Sequence, residues 1–314
     1  MSLNTFSNNN LKYWNWNGFK IAWNVENEKS NTPVLLLHGF GASSAHWRNN
    51  IIPFAEKGYA VYSIDLLGFG ESEQPGINTI GKLDNGIWCD QITDFISEII
   101  RPTHSKKIVI IGNSLGGLVA LTCAVYIPEE VDAIIASPLP DPVSLKTFKD
   151  DKKRGYQNLK ISLIRIVANL IPIELILFLI VNLKIINYGL HCAYYKKTNI
   201  DEKLINIITK PVKRKTASRA LRAMLFGMST RSTKLKSSYL LDCLSKIKKV
   251  PMLIIWGEKD TFIPLFFGKR IANLYPWVKL KIVANSGHCV HDEDSLEFNN
   301  ISSEWIKGLK IFKK

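Results

Sequence analysis

Gly112-Asn113-Ser114-Leu115-Gly116 sets a serine between glycines, where the apolar run KIVIIGN (107–113) gives way to LGGLVALTCAVY (115–126). A serine hydroxyl attacks a carbonyl only with help. A base must take its proton, an acid must orient that base, and N–H donors must receive the charge that develops on the carbonyl oxygen. A strand that runs into such a serine and straight on into a helix is the setting in which G-x-S-x-G forms a sharp turn with the hydroxyl exposed. The competing reading makes Ser114 a helix cap and the glycines an easy turn. The other groups that the chemistry needs decide between the two.

Each of those groups stands at the end of an apolar run. LLLHGFGAS (35–43) ends in a glycine-bearing loop whose Phe40 N–H is one expected oxyanion donor, and the Leu115 N–H at the start of the helix is the other. His38 sits directly at the strand end and is expected to brace this loop instead of facing Ser114. In PMLIIWGEKDTFIP (251–264), Asp260 falls in a turn three residues past a strand. It is the expected acid, with Glu258 as the fallback and simple turn stabilisation as the plain alternative. In IVANSGHCVHDED (282–294), His288 is the expected base, and His291 is expected to face away. His46, His104 and His191 lack a strand-end position and read as ordinary surface or core residues. Asp65 belongs to a D-x-x-G-x-G-x-S loop and reads as turn-shaping.

Phosphate-binding patterns fail. Glu73 stands where G-x-G-x-x-G after Gly68-Phe69-Gly70 needs glycine, and Leu118-Val119 stand where a P-loop needs Lys and Ser/Thr. No His/Cys cluster has metal-ligand spacing, so neither metal nor cofactor is expected.

Positioning these residues requires a particular scaffold. Apolar, β-branched runs recur at 19–25, 33–39, 60–66, 107–113, 131–137, 251–257 and 278–284, with helix-like stretches at about 45–57, 87–101 and 115–127. Strands that alternate with helices, several apolar on both faces, predict an α/β architecture with a mostly parallel central sheet flanked by helices. The rhythm stops between 138 and 244. That block reads as an insertion into one discontinuous domain made of 1–137 and 245–314. It contains ISLIRIVANLIPIELILFLIVNLKIINYGL (161–190), which Arg165, Glu174, Lys184 and Pro172 interrupt. Two amphipathic or buried helices are expected there, not a membrane span.

Composition narrows the setting. The chain has 314 residues, 46% hydrophobic and 22% charged, enough for a large buried core. Its net charge of +14 is uneven: residues 141–249 hold 23 Lys/Arg against 7 Asp/Glu, so the flanks are near neutral. A localised basic block is expected to be drawn to an anionic membrane surface. No nucleic-acid motif accompanies it, and no nucleic-acid partner is expected. Five cysteines without a C-x-x-C pair, and an N-terminus without a charged-then-apolar leader, point to a cytoplasmic protein, peripheral to a membrane at most.

The order Ser114, Asp260, His288, together with HGFGASSAHWRNN (38–50), IDLLGFGES (64–72), GNSLGG (112–117), WGEKDTFIP (256–264) and SGHCVHDED (286–294), resembles the α/β-hydrolase superfamily. The resemblance covers nearly the whole chain. It implies the α/β-hydrolase fold, with 138–244 as a helical cap or lid that selects substrate. With YWNWNGFKIAWN (13–24), the core motifs also resemble the pheophytinase and chlorophyll dephytylase group of plants and cyanobacteria, which implies cleavage of a phytyl ester. The expectation is a serine hydrolase acting on a hydrophobic ester. A C–C bond hydrolase using the same triad is the first alternative, and a non-catalytic ligand-binding member is the second. Epoxide hydrolases and haloalkane dehalogenases share the fold but place an aspartate where Ser114 stands.

Overall fold

The computed structural model describes residues 11–140, 183–247 and 250–309. The β-branched runs assemble into one eight-stranded sheet: β1 (Lys12–Trp16), β2 (Phe19–Glu26), β3 (Pro33–Leu37), β4 (Ala60–Ile64), β5 (Ile108–Asn113), β6 (Val131–Ser137), β7 (Met252–Gly257) and β8 (Lys279–Val283). Their order across the sheet is β1-β2-β4-β3-β5-β6-β7-β8. The six strands from β4 to β8 in that order pair in parallel, while β1 and β2 form an antiparallel extension. Every residue of β3, β4, β5 and β7 is buried. This is why those stretches are continuously apolar: helices cover both faces.

The sheet begins one strand earlier than the apolar runs predict. Asn17 and Gly18 both have positive φ, 50° and 84°, and turn β1 directly onto β2 with Trp16 paired to Phe19. Asn-Gly is the favoured pair for such a two-residue hairpin.

Helices α1 (Ile51–Glu56), α2 (Asn85–Phe95), α3 (Leu115–Tyr126), α4 (Leu183–Ala193), α5 (Glu202–Val212), α6 (Ala217–Thr230), α7 (Ser237–Ile247), α8 (Leu265–Leu274) and α9 (Ser295–Gly308) surround the sheet. Asp84 fixes the start of α2 by accepting the Gly86 and Ile87 N–H groups, a cap of the kind that satisfies otherwise orphaned donors. One face of the sheet packs Trp88, Phe95, Leu118 and Leu121 from α2 and α3. The other packs Phe54, Phe298 and Ile306 from α1 and α9. A third apolar cluster joins Leu190 of α4, Tyr194 and Leu204 of α5 to Cys289, the neighbour of His288.

Helices α4 to α7 belong to the long β6–β7 connection. Of the stretch 161–190, only 183–190 lies within the described residues, inside α4; the expectation of two helices for the rest falls outside them. Among the described residues, no helix is long and apolar enough to cross a membrane. Because β3, β5, β7 and β8 run in parallel, their following loops leave the sheet on the same side, where a site in such folds is built.

Candidate active site

Ser114 is the single residue between β5 and α3, with φ 49° and ψ −111°. This is a strained conformation for a residue with a Cβ, and it is held by its surroundings. The Ser114 N–H donates to the Ser137 carbonyl at 3.1 Å, and its own carbonyl accepts the Leu118 N–H. The turn closes only because its neighbours lack side chains. A Cβ on Gly112 would lie 2.1 Å from the Gly116 carbonyl carbon, and one on Gly116 would lie 2.2 Å from the Leu37 carbonyl oxygen. The second contact presses the start of α3 against the exit of β3, so the Leu115 amide and the loop carrying Phe40 share one corner. The Leu115 N–H, in the first turn of α3, has no acceptor within its own helix.

The exits of β7 and β8 run side by side. The Glu258 N–H donates to the Val283 carbonyl and the Lys259 N–H to the Ser286 carbonyl, both at 2.9 Å. A Cβ on Gly257 would lie 2.0 Å from the Gly287 carbonyl oxygen. This contact brings Asp260 to His288: Nδ1 of the ring lies 2.9 Å from Asp260 Oδ2. The other carboxylate oxygen, Oδ1, accepts the Phe262 and Ile263 N–H groups at 2.8 and 2.9 Å. Both side chains are buried. With Nδ1 donating to a carboxylate, Nε2 is left as the basic lone pair. Glu258, the fallback acid, is exposed and accepts the Asn285 N–H instead.

Asn113 joins the two halves of the site. Its Nδ2 donates to the Ser137 carbonyl at 2.6 Å and reaches the His288 carbonyl at 3.5 Å. The residue before Ser114 therefore touches the backbone of His288, and all five expected residues converge on one side of the sheet. Among the described residues, the half-buried Ser114 hydroxyl makes no hydrogen bond to the imidazole; such contacts commonly tighten only with substrate present.

His38 is fully buried, and its Nε2 accepts the Leu66 N–H at 3.1 Å. Nδ1 is therefore the protonated nitrogen and donates to the Gly39 carbonyl at 2.8 Å. Burial lowers its pKa, keeping it neutral despite nearby Asp65. It braces the β3 and β4 exits. Asp65 likewise accepts the Ser44 and Glu71 N–H groups, both at 2.7 Å, and shapes its loop.

Other residues at the site carry no local sequence signal. Arg48 donates through Nε and Nη2 to Asp292 at 2.8 and 3.0 Å and through Nη1 to Asp201. Tyr194 Oη donates to Asp292 Oδ2 and meets His46 Nε2, each at 2.8 Å. His46 is thus part of a buried chain that ties the β6–β7 connection to the sheet domain, not an ordinary core residue. Burial lowers its pKa to about 4 even with Asp292 near. His291 points into this cluster, its ring 4.6 Å from His46 and 4.4 Å from Trp47. Among the described residues, no group of three His, Cys, Asp or Glu could hold a metal ion.

Between α5, α6 and the exits of β3 and β4 lies a cavity of about 180 Å³, lined by Phe40, Phe69, Ile208, Val212, Leu221 and Met224 among others. It is almost wholly apolar and opens beside the Phe40 loop.

The model of the Alpha/beta hydrolase family matches residues 34–301. The chain belongs to that family. Within it, the chain is 25% identical over 303 residues to 2-hydroxy-6-oxo-6-phenylhexa-2,4-dienoate hydrolase of Comamonas testosteroni, covering 92% of each. The fold is shared with a serine hydrolase of carbazole degradation, with a TM-score of 0.72 at 20% identity over 95% of this chain and 98% of that one. It is shared too with a bacterial membrane phospholipase A, with a TM-score of 0.70 at 20% identity over 96% and 86%.

Proposed function

We propose that this α/β hydrolase is a serine enzyme that cleaves a hydrophobic carboxylic ester. The observation that carries the reading is the buried His288–Asp260 pair, 2.9 Å apart, set beside the strained turn at Ser114. In the proposed cycle, His288 Nε2 takes the Ser114 proton as Oγ attacks the ester carbonyl. The oxyanion rests on the Phe40 and Leu115 N–H groups, a donor of this kind being worth about 3–4 kcal/mol. The intermediate collapses, and the departing alcohol takes the proton from His288. Water, deprotonated by the same imidazole, then releases the acid and restores Ser114. Asp260 keeps the ring in the right tautomer and stabilises its cation.

The helices of the β6–β7 connection act as the cap, and the apolar cavity beneath α5 and α6 receives the greasy part of the ester, for which the phytyl ester of a chlorophyll-type pigment is the specific candidate. The exposed Lys203, Lys210, Lys213 and Lys215 of the cap hold the protein against an anionic bilayer, each nearby charge adding about 1 kcal/mol. A second reading, hydrolysis of a C–C bond in a vinylogous diketone, draws on the similarity to the Comamonas hydrolase.

A fluorophosphonate probe tests the shared step. It should label the wild-type protein and fail on Ser114→Ala; equal labelling of both would refute the nucleophile. Rates on short 4-nitrophenyl esters, phytyl pigment esters and a vinylogous diketone then separate the readings. Turnover of the diketone alone would overturn the ester assignment.

A further inference from the structure

The loops that carry Asp260 and His288 extend past the ends of their strands, and what holds their outer side is the chain leaving α4. The Thr261 hydroxyl, next to Asp260, donates to the Cys192 carbonyl at 2.7 Å. The His288 N–H donates to the Ala193 carbonyl at 2.7 Å. Glu293 completes the set. Its Oε2 accepts the Gly287 N–H at 2.7 Å, and its Oε1 accepts the Lys196 N–H. One buried carboxylate therefore bridges the peptide just before His288 and the strap Cys192–Lys196 of the cap. The Glu293 carbonyl takes the Asn199 side-chain amide at 2.9 Å, which extends the same seam. Burial pushes the Glu293 carboxyl up, and the Lys196 and Gly287 N–H groups pull it back down.

We infer that Glu293 is a positioning residue for the base: by bridging the Gly287 and Lys196 amides, it aligns His288 with Asp260 only while the cap strap is seated. The inference rests on the reading of His288 as general base. The cap then does more than enclose substrate. Its strap is part of the mount for both acid and base, and lifting it disturbs the imidazole. Without the carboxylate, the buried Gly287 N–H and the part-buried Lys196 N–H lose their acceptor, and the loop must move to find others. A displacement of about 1 Å at the reacting group lowers a rate about 100-fold.

The test uses Glu293→Gln and Glu293→Ala in the full-length protein, with Thr261→Val as a milder break on the acid side. On 4-nitrophenyl acetate, a substrate too small to need the cap cavity, kcat should fall about 10- to 100-fold in the Glu293 variants. KM should stay within about twofold, and fluorophosphonate labelling should slow in step with kcat. Thr261→Val should lose about threefold in kcat. Because residue 261 is exposed, this variant keeps its fold even where Glu293→Ala does not. A separate readout is the downfield proton resonance of His288 Nδ1–H in the resting protein, which should broaden or vanish in Glu293→Gln. Wild-type kcat with an unchanged resonance in a cooperatively unfolding Glu293→Gln would overturn the inference. A wild-type protein that neither labels nor turns over ester would refute the nucleophile reading instead, and the resonance would still decide the role of Glu293.

Discussion

Removing the Arg48 guanidinium should loosen the β6–β7 connection from the sheet more than any surface change of equal charge. Arg48 and Asp292 are 6% and 0% exposed at the side chain, whereas Asp201 is 53% exposed. Burial works against the charged guanidinium, yet its bonds to Asp292 and Asp201 hold its pKa above the ordinary value. In Arg48→Met, Asp292 keeps Tyr194 Oη and Asn49 Nδ2 as donors but loses its counter-charge. Leaving a buried carboxylate without its cation costs about 3–5 kcal/mol. The exposed Asp201 contact accounts for about 1 kcal/mol or less of the total. At about 1.5 °C per kcal/mol for a chain of 314 residues, the midpoint of thermal unfolding should fall by about 5–8 °C. Urea unfolding followed by fluorescence of the eight tryptophans gives the free energy directly, with Asp201→Asn as the reference. The double variant Arg48→Met/Asp292→Leu should regain part of the loss, because no lone charge remains inside. The reasoning fails if Arg48→Met costs less than about 1 kcal/mol, or no more than Asp201→Asn. Either result would mean that Asp292 stays solvated.

Asp260→Asn should lower kcat by about 10⁴-fold with little change in KM, through the wrong imidazole tautomer; steady-state rates on a 4-nitrophenyl ester check this. His46 gives an acid dependence whose sign follows from its lowered pKa of about 4 against 6.5 in the unfolded chain. Above pH 6.5 both states are neutral and stability is full. Between 6.5 and 4 the unfolded chain binds the proton first, and about 3 kcal/mol is lost. Urea midpoints at pH 7 and pH 4.5 should differ more in the wild type than in His46→Gln, and equal differences would contradict the assignment. Gly116→Ala must push α3 off the β3 exit, where its Cβ would meet the Leu37 and His38 carbonyl oxygens at 2.2 and 2.8 Å. A loss of about 3 kcal/mol and of probe labelling is expected, read by thermal melts and fluorophosphonate.

The elements that carry the candidate triad are legible because their signals are local. An apolar run ending in Gly-x-Ser-x-Gly, or in a turn with an aspartate or histidine, needs only a dozen neighbouring residues to be recognised. The same holds for the alternation that gives the parallel sheet. The β1–β2 hairpin is half legible: Asn17-Gly18 announces a turn, but KYWNW mixes polar and aromatic residues, buried only at Trp14 and Trp16, and is not a continuous apolar run. The ties between the β6–β7 connection and the sheet are not legible at all. Arg48 meets Asp292 across 244 residues, and His46 meets Tyr194 across 148. Nothing about an arginine after a tryptophan, or a glutamate five residues past His288, marks a partner that far away. Amphipathic patterning makes α5 and α6 helices, but it does not say which loop they dock on.

Asn113 and His288 are 175 residues apart in the chain yet touch in the fold. During synthesis the serine turn emerges long before its imidazole, by roughly ten to thirty-five seconds at ordinary elongation rates. In the proposed mechanism, a nascent chain that has built the sheet as far as β6 still lacks its base. On that mechanism, reactivity arises only when the segment carrying Asp260 and His288 emerges and docks beside the turn at Ser114.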